Sequence, residues 1–194
     1  MEAEISVEKV SVEDYLAAER KSEIKHEYID GTLFPMSGAS YFHTIICGNI
    51  IRILGNLILK KELTIHGSDL RVAAAEGRKY YYPDVVLIDG EPVFTDPHSD
   101  TITNPSIIFE VLFKSTEGYD RGDKFQSYRM LESLQAYVLV AQDKPLVEVF
   151  TRNADTRQWV LSEARGTESS IQLPLLDADL ALADLYAKVK FPVR

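Results

Sequence analysis

Residues 106–112 read Ser-Ile-Ile-Phe-Glu-Val-Leu, a continuous apolar run interrupted by one charge, Glu110. An apolar run of this length predicts a β-strand that is buried on both faces. A carboxylate inside such a strand costs free energy unless it is paired, protonated or bound to a cation. Glu110 is therefore the most informative residue of the chain, because it requires a partner.

A second acid stands in the other strongly apolar segment, residues 80–88, which read Tyr-Tyr-Tyr-Pro-Asp-Val-Val-Leu-Ile. If the two strands are neighbours, Asp84 and Glu110 lie side by side. A hard cation such as Mg²⁺ is held by one or two carboxylates and keeps waters and phosphate oxygens as its other ligands. The alternative is that Asp84 ends a bulge in solvent and Glu110 forms a structural salt bridge. The composition alone does not decide between the two.

A helix predicted from about residue 119 to 132 follows the Glu110 strand. Asp120, Lys124 and Tyr128 are spaced i, i+4, i+8, so they share one side of this helix. A lysine there can orient or help deprotonate an attacking water and offset charge on a pentavalent phosphate, while Asp120 fixes its position. The alternative, favoured when the helix is taken alone, is an ordinary Asp–Lys pair on a solvated face.

The rest of the chain predicts helices and short strands in one compact unit, without a linker or an internal repeat. Ser11 suits the N-cap of a first helix, and Asp30-Gly31 suits a type I′ hairpin turn. The apolar positions of residues 41–60 cover most of a helical circumference and predict a central helix packed on more than one side. The other predicted segments are strands at 27–34, 63–65, 69–73, 136–141, 147–152 and 159–163, a surface loop at 89–104, and helices at 11–20 and 181–189.

The composition is that of an ordinary globular protein, since 45% of the 194 residues are hydrophobic and 26% are charged. We expect residues 1–194 to form a single domain. Cys47 is the only cysteine, so no intrachain disulfide can form, and we expect a reducing, cytoplasmic location. The acidic first residues disagree with a signal peptide. The polar residues within 41–59 disagree with a membrane span.

The net charge of −9 argues against a protein that coats nucleic acid nonspecifically, because phosphate neutralisation supplies most of that affinity. A nucleic-acid role therefore requires a local basic surface or bound metal cations. The chain has no Gly-rich phosphate loop and no Gly-x-Ser-x-Gly turn, which disfavours an NTPase, a Rossmann dehydrogenase and an α/β-hydrolase. His66 and His98 lack metal-ligand spacing, so we do not expect a zinc site.

Three further residues are weaker candidates. Glu27 precedes the first hairpin strand, where a lone glutamate is usually solvated. Arg71 shares a strand face with Asp69, which suits a phosphate contact but more often makes a cross-strand pair. His43 opens the central helix, where it is expected to contact only backbone.

The order of several short motifs resembles the Uma-type family, whose members are described as putative restriction endonucleases of the PD-(D/E)XK nuclease superfamily. No motif is specific alone, and the resemblance covers about residues 12–152. It implies a restriction-endonuclease-like fold, an α/β (α+β) core with a mixed central β-sheet flanked by helices. The motifs are residues 27–31, 67–72, 82–86, 110–112 with 115–116, the Asp120, Lys124 and Tyr128 helix, and 137–140.

The resemblance implies that Asp84 and Glu110 are the catalytic carboxylates and that they hold Mg²⁺, with Mn²⁺ as a second cation. The backbone carbonyl of Val111 would complete the protein's share of the coordination. Glu27 corresponds to the acid that the superfamily often contributes from its N-terminal region.

The lysine of the superfamily motif follows the second acid by two positions, and here that position is Leu112. Because the family shows an Asp-x-x-x-Lys-x-x-x-Tyr helix, the resemblance carries the lysine role to Lys124. Family members usually have Ser-Pro where this chain has Phe113-Lys114. Lys114 shares the face of Glu110 if the strand continues, so it is a rival for the same role.

The resemblance therefore implies a Mg²⁺-dependent endonuclease that hydrolyses DNA. Arg71, Arg121 or Arg129 would offset the acidic charge locally, and cutting both strands would require a homodimer. A second hypothesis, favoured by Leu112 and Lys114, is a catalytically inactive nucleic-acid-binding or protein-interaction module on the same fold. A third is a metal-dependent hydrolase of a small phosphodiester.

Overall fold

The structure, a computed structural model, describes residues 9–191. Its helices are α1 (Val12–Glu19), α2 (Tyr41–Ile58), α3 (Glu117–Tyr119), α4 (Phe125–Tyr128) and α5 (Leu182–Leu185), with a π-helical segment (Asp120–Lys124) between α3 and α4. Its strands are β1 (His26–Ile29), β2 (Thr32–Pro35), β3 (Leu63–Gly67), β4 (Arg71–Ala74), β5 (Lys79–Tyr81), β6 (Val85–Asp89), β7 (Thr101–Ile102), β8 (Ile107–Leu112), β9 (Ala136–Ala141), β10 (Leu146–Arg152), β11 (Trp159–Arg165), β12 (Ser170–Ile171) and β13 (Leu180–Ala181).

The larger sheet has the strand order β11-β10-β9-β8-β6-β3, with β8 near its centre. Strand β8 pairs antiparallel with β6 and parallel with β9, so this sheet is mixed. The smaller sheet has the order β2-β1-β5-β4-β7 and is antiparallel except where β4 meets β7. The predicted fold class, mixed sheet with flanking helices, is confirmed.

Helix α2 covers one face of the larger sheet. It also contacts α5, because the side chain of Asn49 donates to the carbonyls of Leu185 and Ala187. The prediction of packing on more than one side therefore holds in part, but Ile51 remains 38% exposed. The residues that α2 buries among the strands form one stripe of i, i+4 spacing: Ile46, Ile50, Leu54 and Ile58.

By length and composition, α2 is the one helix of the described chain that could cross a membrane. The buried stripe makes contact with strands such as β6 and β8 instead. A core helix of a globular protein passes the same compositional test, and we interpret α2 as one.

The opposite face of the larger sheet packs against the smaller sheet and α4. Because side chains alternate along a strand, Phe109 and Val111 face α2, whereas Ile108 and Leu112 face the smaller sheet. Glu110 has the same parity as Ile108 and Leu112. The charge in the apolar run therefore points into the space between the two sheets.

Several local predictions are confirmed. The Ser11 hydroxyl accepts a hydrogen bond from the Asp14 N–H at the start of α1. Asp30 and Gly31 have φ values of +48° and +96°, as a primed hairpin turn requires.

Other local predictions need correction. Residues 80–88 are two strands that belong to different sheets, because the chain leaves β5 at Tyr81 and enters β6 at Val85. The helix predicted at 119–132 begins at residue 117 and ends at 128, and its middle turn is π-helical. The loop at 89–104 contains the short strand β7.

Candidate active site

A cleft of about 770 Å³ opens between the first hairpin, the start of α2 and the helical segment around α3. Its opening is largely apolar, and its polar side chains converge at one end of β6 and β8. The ionisable residues considered for the site are Glu27, His43, Asp84, Glu110, Asp120 and Lys124, and Glu23 and Lys25 also line the cleft.

Asp84 lies in the connection between β5 of the smaller sheet and β6 of the larger sheet. Pro83 cannot donate to a strand ladder, so a sheet connection is a favourable place for it. Val85 pairs with Phe109 across β6 and β8. Continuing that antiparallel register by one residue sets Asp84 opposite Glu110, and residues opposite each other point to the same face of a sheet.

The carboxylate of Asp84 is held on both oxygens. Its Oδ2 accepts a hydrogen bond of 2.7 Å from the backbone N–H of Val111. Its Oδ1 lies 3.1 Å from Nε2 of His43, whose ring stacks on Phe113 at 5.0 Å between centroids. Because a carboxylate has about four acceptor sites, both oxygens can still accept a further ligand.

Lys124 joins the acids of the cleft. Its Nζ lies 2.9 Å from Glu110 Oε1, 3.0 Å from Glu27 Oε1 and 3.8 Å from Asp120 Oδ1. The lysine side chain is only 7% exposed. The Tyr128 hydroxyl is 3.4 Å from Glu110 Oε1. The alternative of an Asp–Lys pair on a solvated face is therefore wrong, because this pair is buried.

The helix reaches this position through its widened turn. In a π-helical turn one extra residue is accommodated, and such turns are frequent at functional sites. The hydroxyl of Tyr137 donates to the backbone carbonyl of Asp120 at 3.0 Å, which satisfies an acceptor of this turn. Asp120 and Lys124 both face inward from this segment.

Burial is the main cause of the raised pKa values of the acids Glu110 and Asp120 in the cleft. Burial raises the pKa of Glu110 well above its ordinary value, and although Lys124 lowers it, the neighbouring acid Asp84 raises it further. Burial also raises the pKa of Asp120. Burial opposes the charge of Lys124, but the carboxylates, with Glu110 the strongest, hold the pKa of Lys124 well above its ordinary value. The lysine is therefore an ammonium.

The donor set fits the hard divalent cation that the sequence implies. Three carboxylates, those of Glu27, Glu110 and Asp120, lie within 3.8 Å of the Lys124 ammonium, and the Asp84 carboxylate lines the same cleft. Oε1 of Glu27 is buried and, despite its 3.0 Å approach to Lys124, makes no hydrogen bond to a described residue. Because the three acids around Lys124 outnumber its one ammonium, the cluster can accept further positive charge.

Two predicted supporting residues do not join the cluster. Arg71 is 2% exposed and does not line the cleft, because its guanidinium binds Asp100 at 2.7 Å and Thr101 at 2.9 Å. Strand β8 ends at Leu112, so it does not continue to Lys114 and does not place this lysine on the face of Glu110. Lys114 is exposed.

The predicted arginine surface is also missing from the described walls of the cleft. Arg121 pairs with Glu148, and neither it nor Arg129 lines the cleft. The described cations of the walls are Lys25 and Lys124, and Lys25 is itself paired with Asp69.

His43 is the site residue that the sequence interpretation missed. Its backbone N–H is capped by Ser40, as expected for a first turn, but its ring contacts Asp84 and also lies 3.5 Å from Cys47 Sγ. Burial, followed by the charges of Asp84 and Glu110, raises the pKa of the Cys47 thiol. The available sequence signal was the i, i+4 spacing of His43 and Cys47 in a predicted helix.

Comparison with known proteins identifies the family. Residues 12–184 match the model of the Uma2 family, described as putative restriction endonuclease. The chain belongs to the Uma2 family. The resemblance seen in the sequence is thereby confirmed, and the family and fold together indicate a restriction-endonuclease-like nuclease.

Two curated relatives of this Uma2 chain come from Synechocystis sp. (strain ATCC 27184 / PCC 6803 / Kazusa). Uncharacterized protein sll1609 is 39% identical over 84% of this chain and 92% of its own length. Uncharacterized protein slr1290 is 30% identical over 94% of each chain.

A solved structure supports the fold. The crystal structure of a putative nuclease belonging to DUF820 from Anabaena variabilis ATCC 29413 has a TM-score of 0.73 to this chain at 14% identity. The match covers 92% of this chain and 98% of that one. At this identity the likeness establishes the fold alone.

Proposed function

We propose that this Uma2 chain is a Mg²⁺-dependent endonuclease that hydrolyses DNA phosphodiester bonds in the cleft. The observation that carries the proposal is the 2.9 Å contact between the Lys124 ammonium and Glu110. Glu110 lies on β8, which pairs with β6, and Asp84 directly precedes β6. Two acids and one lysine at the end of a mixed sheet are the groups that a metal-dependent phosphodiesterase needs.

Asp84, Glu110 and the backbone carbonyl of Val111 would hold the cation. Oxygen donors suit Mg²⁺, and Mn²⁺ accepts the same ligands. When bound, the cation supplies Lewis acidity toward a phosphate oxygen and lowers the pKa of a water. The excess of carboxylates over ammonium groups supports a divalent ion in this position.

Lys124 acts as a hydrogen-bond donor in this proposal. Its raised pKa keeps it protonated, so Lys124 is a poor general base and does not deprotonate the water in this proposal. An ammonium fixed against Glu110 can orient an attacking water and offset charge that develops on the phosphate. Glu27 and Asp120 position the ammonium, and Tyr128 supports the Glu110 carboxylate.

DNA binding would depend strongly on the cation. The cleft walls hold more acids than lysines, so DNA phosphates gain little attraction from side chains alone. We therefore expect DNA affinity to require a divalent ion and to fall as salt rises. A homodimer would place two clefts on the two strands of a duplex.

The direct test is nicking of supercoiled plasmid by the full chain in Mg²⁺ or Mn²⁺. Asp84→Asn and Glu110→Gln should each lower the rate at least about 100-fold, because ligand loss costs more than the 10–100-fold of a second-shell change. Asp177→Asn is the matched control, since that side chain is 90% exposed and pairs with Lys61 away from the cleft. Nicking that persists equally in both site variants would refute the assignment.

A second candidate is a catalytically inactive nucleic-acid-binding or protein-interaction module on the same fold. The observation that favours it is Leu112, which stands at the lysine position of the superfamily motif and is buried in the apolar core. Titration calorimetry with Mg²⁺ and Mn²⁺ separates the candidates. Absence of binding up to millimolar concentrations, together with no nicking, would favour the module.

A further inference from the structure

A second set of metal-ligating side chains lies where α2 passes the Asp84 end of the cleft. His43 and Cys47 are four residues apart in α2, so they share one helix face. Cys47 Sγ is 3.5 Å from His43 Nδ1, and His43 Nε2 is 3.1 Å from Asp84 Oδ1. One ligand atom from each of the three residues falls within 4.8 Å of the others.

The atom types and spacings suit a thiophilic cation. Tetrahedral zinc has Zn–S near 2.3 Å and Zn–N near 2.0–2.1 Å, which separates the two ligand atoms by roughly 3.5 Å. That is the observed spacing of Sγ and Nδ1. Asp84 Oδ1 faces the other ring nitrogen, Nε2, so the carboxylate must swing toward the thiol to complete a three-ligand set on the Nδ1 side, where tetrahedral N and O ligands lie roughly 3.4 Å apart.

We propose that Cys47, His43 and Asp84 form a binding site for one thiophilic divalent cation of the Zn²⁺ class. On binding, the Cys47 thiol gives its proton to solvent, a metal–sulfur bond forms, and neutral His43 and ionised Asp84 donate lone pairs, with no change of oxidation state. Three protein ligands leave one position for solvent.

The site has a consequence for the cleft, and this consequence rests on the proposed function. Asp84 belongs both to this set and to the carboxylate pair with Glu110. A thiophilic ion that holds Asp84 against α2 turns this carboxylate away from Glu110 and places a second positive charge beside the pair, and in this way it excludes Mg²⁺. Soft and hard cations would compete for the chain, with the soft ion inhibiting nicking.

The test uses Co²⁺ alone as the probe, because a thiolate bound to Co²⁺ gives a near-ultraviolet charge-transfer band. The full chain should bind one equivalent with this band, and Zn²⁺ should remove the band by displacement. Cys47→Ser, which keeps the side-chain size, should abolish the band. His43→Asn should weaken Co²⁺ binding at least about 10-fold.

Glu110→Gln is the matched variant, because it leaves all three ligands in place. It should keep the band while losing stabilisation by Mg²⁺. A chain that shows no band, or a band unchanged in Cys47→Ser with a native circular dichroism spectrum, overturns the site. Nicking that depends on Asp84 without any band would leave the nuclease standing and remove this inference alone. If the Co²⁺–thiolate band forms while Mg²⁺ still binds with unchanged affinity, the proposed exclusion of Mg²⁺ from the Asp84 and Glu110 pair is wrong.

Discussion

Replacing Lys124 by Met tests the electrostatics of the cleft most directly. Methionine keeps the aliphatic length of the side chain but removes the ammonium that lies within 2.9 to 3.8 Å of three carboxylates. All four side chains are 13% exposed or less, so solvent screens these contacts weakly. Removing one partner of a buried ion pair costs about 3–5 kcal/mol.

We expect the lower end of that range, about 3 kcal/mol at neutral pH. The carboxylates can take up a proton once the ammonium is gone, which limits the loss. The pKa of Glu110 is already raised, so protonation there is easiest. For a chain of this length, 3 kcal/mol corresponds to a fall in Tm of roughly 6–12 °C.

The sign of the pH dependence follows from the same contacts. Burial already raises the pKa values of Glu110 and Asp120, and removing the ammonium raises them further above their unfolded values, so their ionisation destabilises the folded variant as pH rises above about 4. The difference between wild type and variant should therefore be small near pH 4 and full at neutral pH. Urea denaturation, followed by the fluorescence of the single tryptophan Trp159, measures it.

Added Mg²⁺ should raise the Tm of Lys124→Met more than that of wild type, because a cation replaces the lost positive charge and stabilises the folded state by mass action. Lys114→Met is the control, since that lysine is exposed and should change the unfolding free energy by less than about 0.5 kcal/mol. A Lys124→Met variant with wild-type stability, or with the same loss at pH 4 and pH 7, would refute the reasoning.

Two further predictions concern stability away from the cleft. The hydrogen bond from Arg20, assisted by Arg71, holds the pKa of Asp100 well below its usual range, so Asp100→Asn should lower the unfolding free energy by about 2 kcal/mol above pH 5. That loss should shrink as acid protonates the wild-type carboxylate, and an equal loss at low pH in urea titrations would contradict the ion pair. Gly31→Ala should cost at least about 1–2 kcal/mol, because φ is +96° and the new Cβ would lie 2.7 Å from Cβ of Lys9. Thermal unfolding checks it, and an unchanged Tm would show that the turn does not need glycine.

The sequence by itself determined the local features of this chain. The cap at Ser11 and the turn at Asp30-Gly31 depend on residues within a few positions of each other, so the residue types carry the information. Glu110 was visible because a charge inside an apolar run stands out without knowledge of any partner. Asp84 was visible in the same way, but only the structure shows that its segment leads into a strand beside that of Glu110.

The tertiary structure alone decided which side chains meet. Glu27 reaches Lys124 across nearly one hundred residues, and His43 reaches Asp84 from a helix on the other face of the sheet. The strand pattern allowed Arg71 to contact a phosphate, but in the structure Arg71 forms an ion pair with Asp100. Such contacts depend on how the helices and sheets pack on one another. A charged side chain favours a partner of opposite charge, but it does not determine where in the sequence that partner stands.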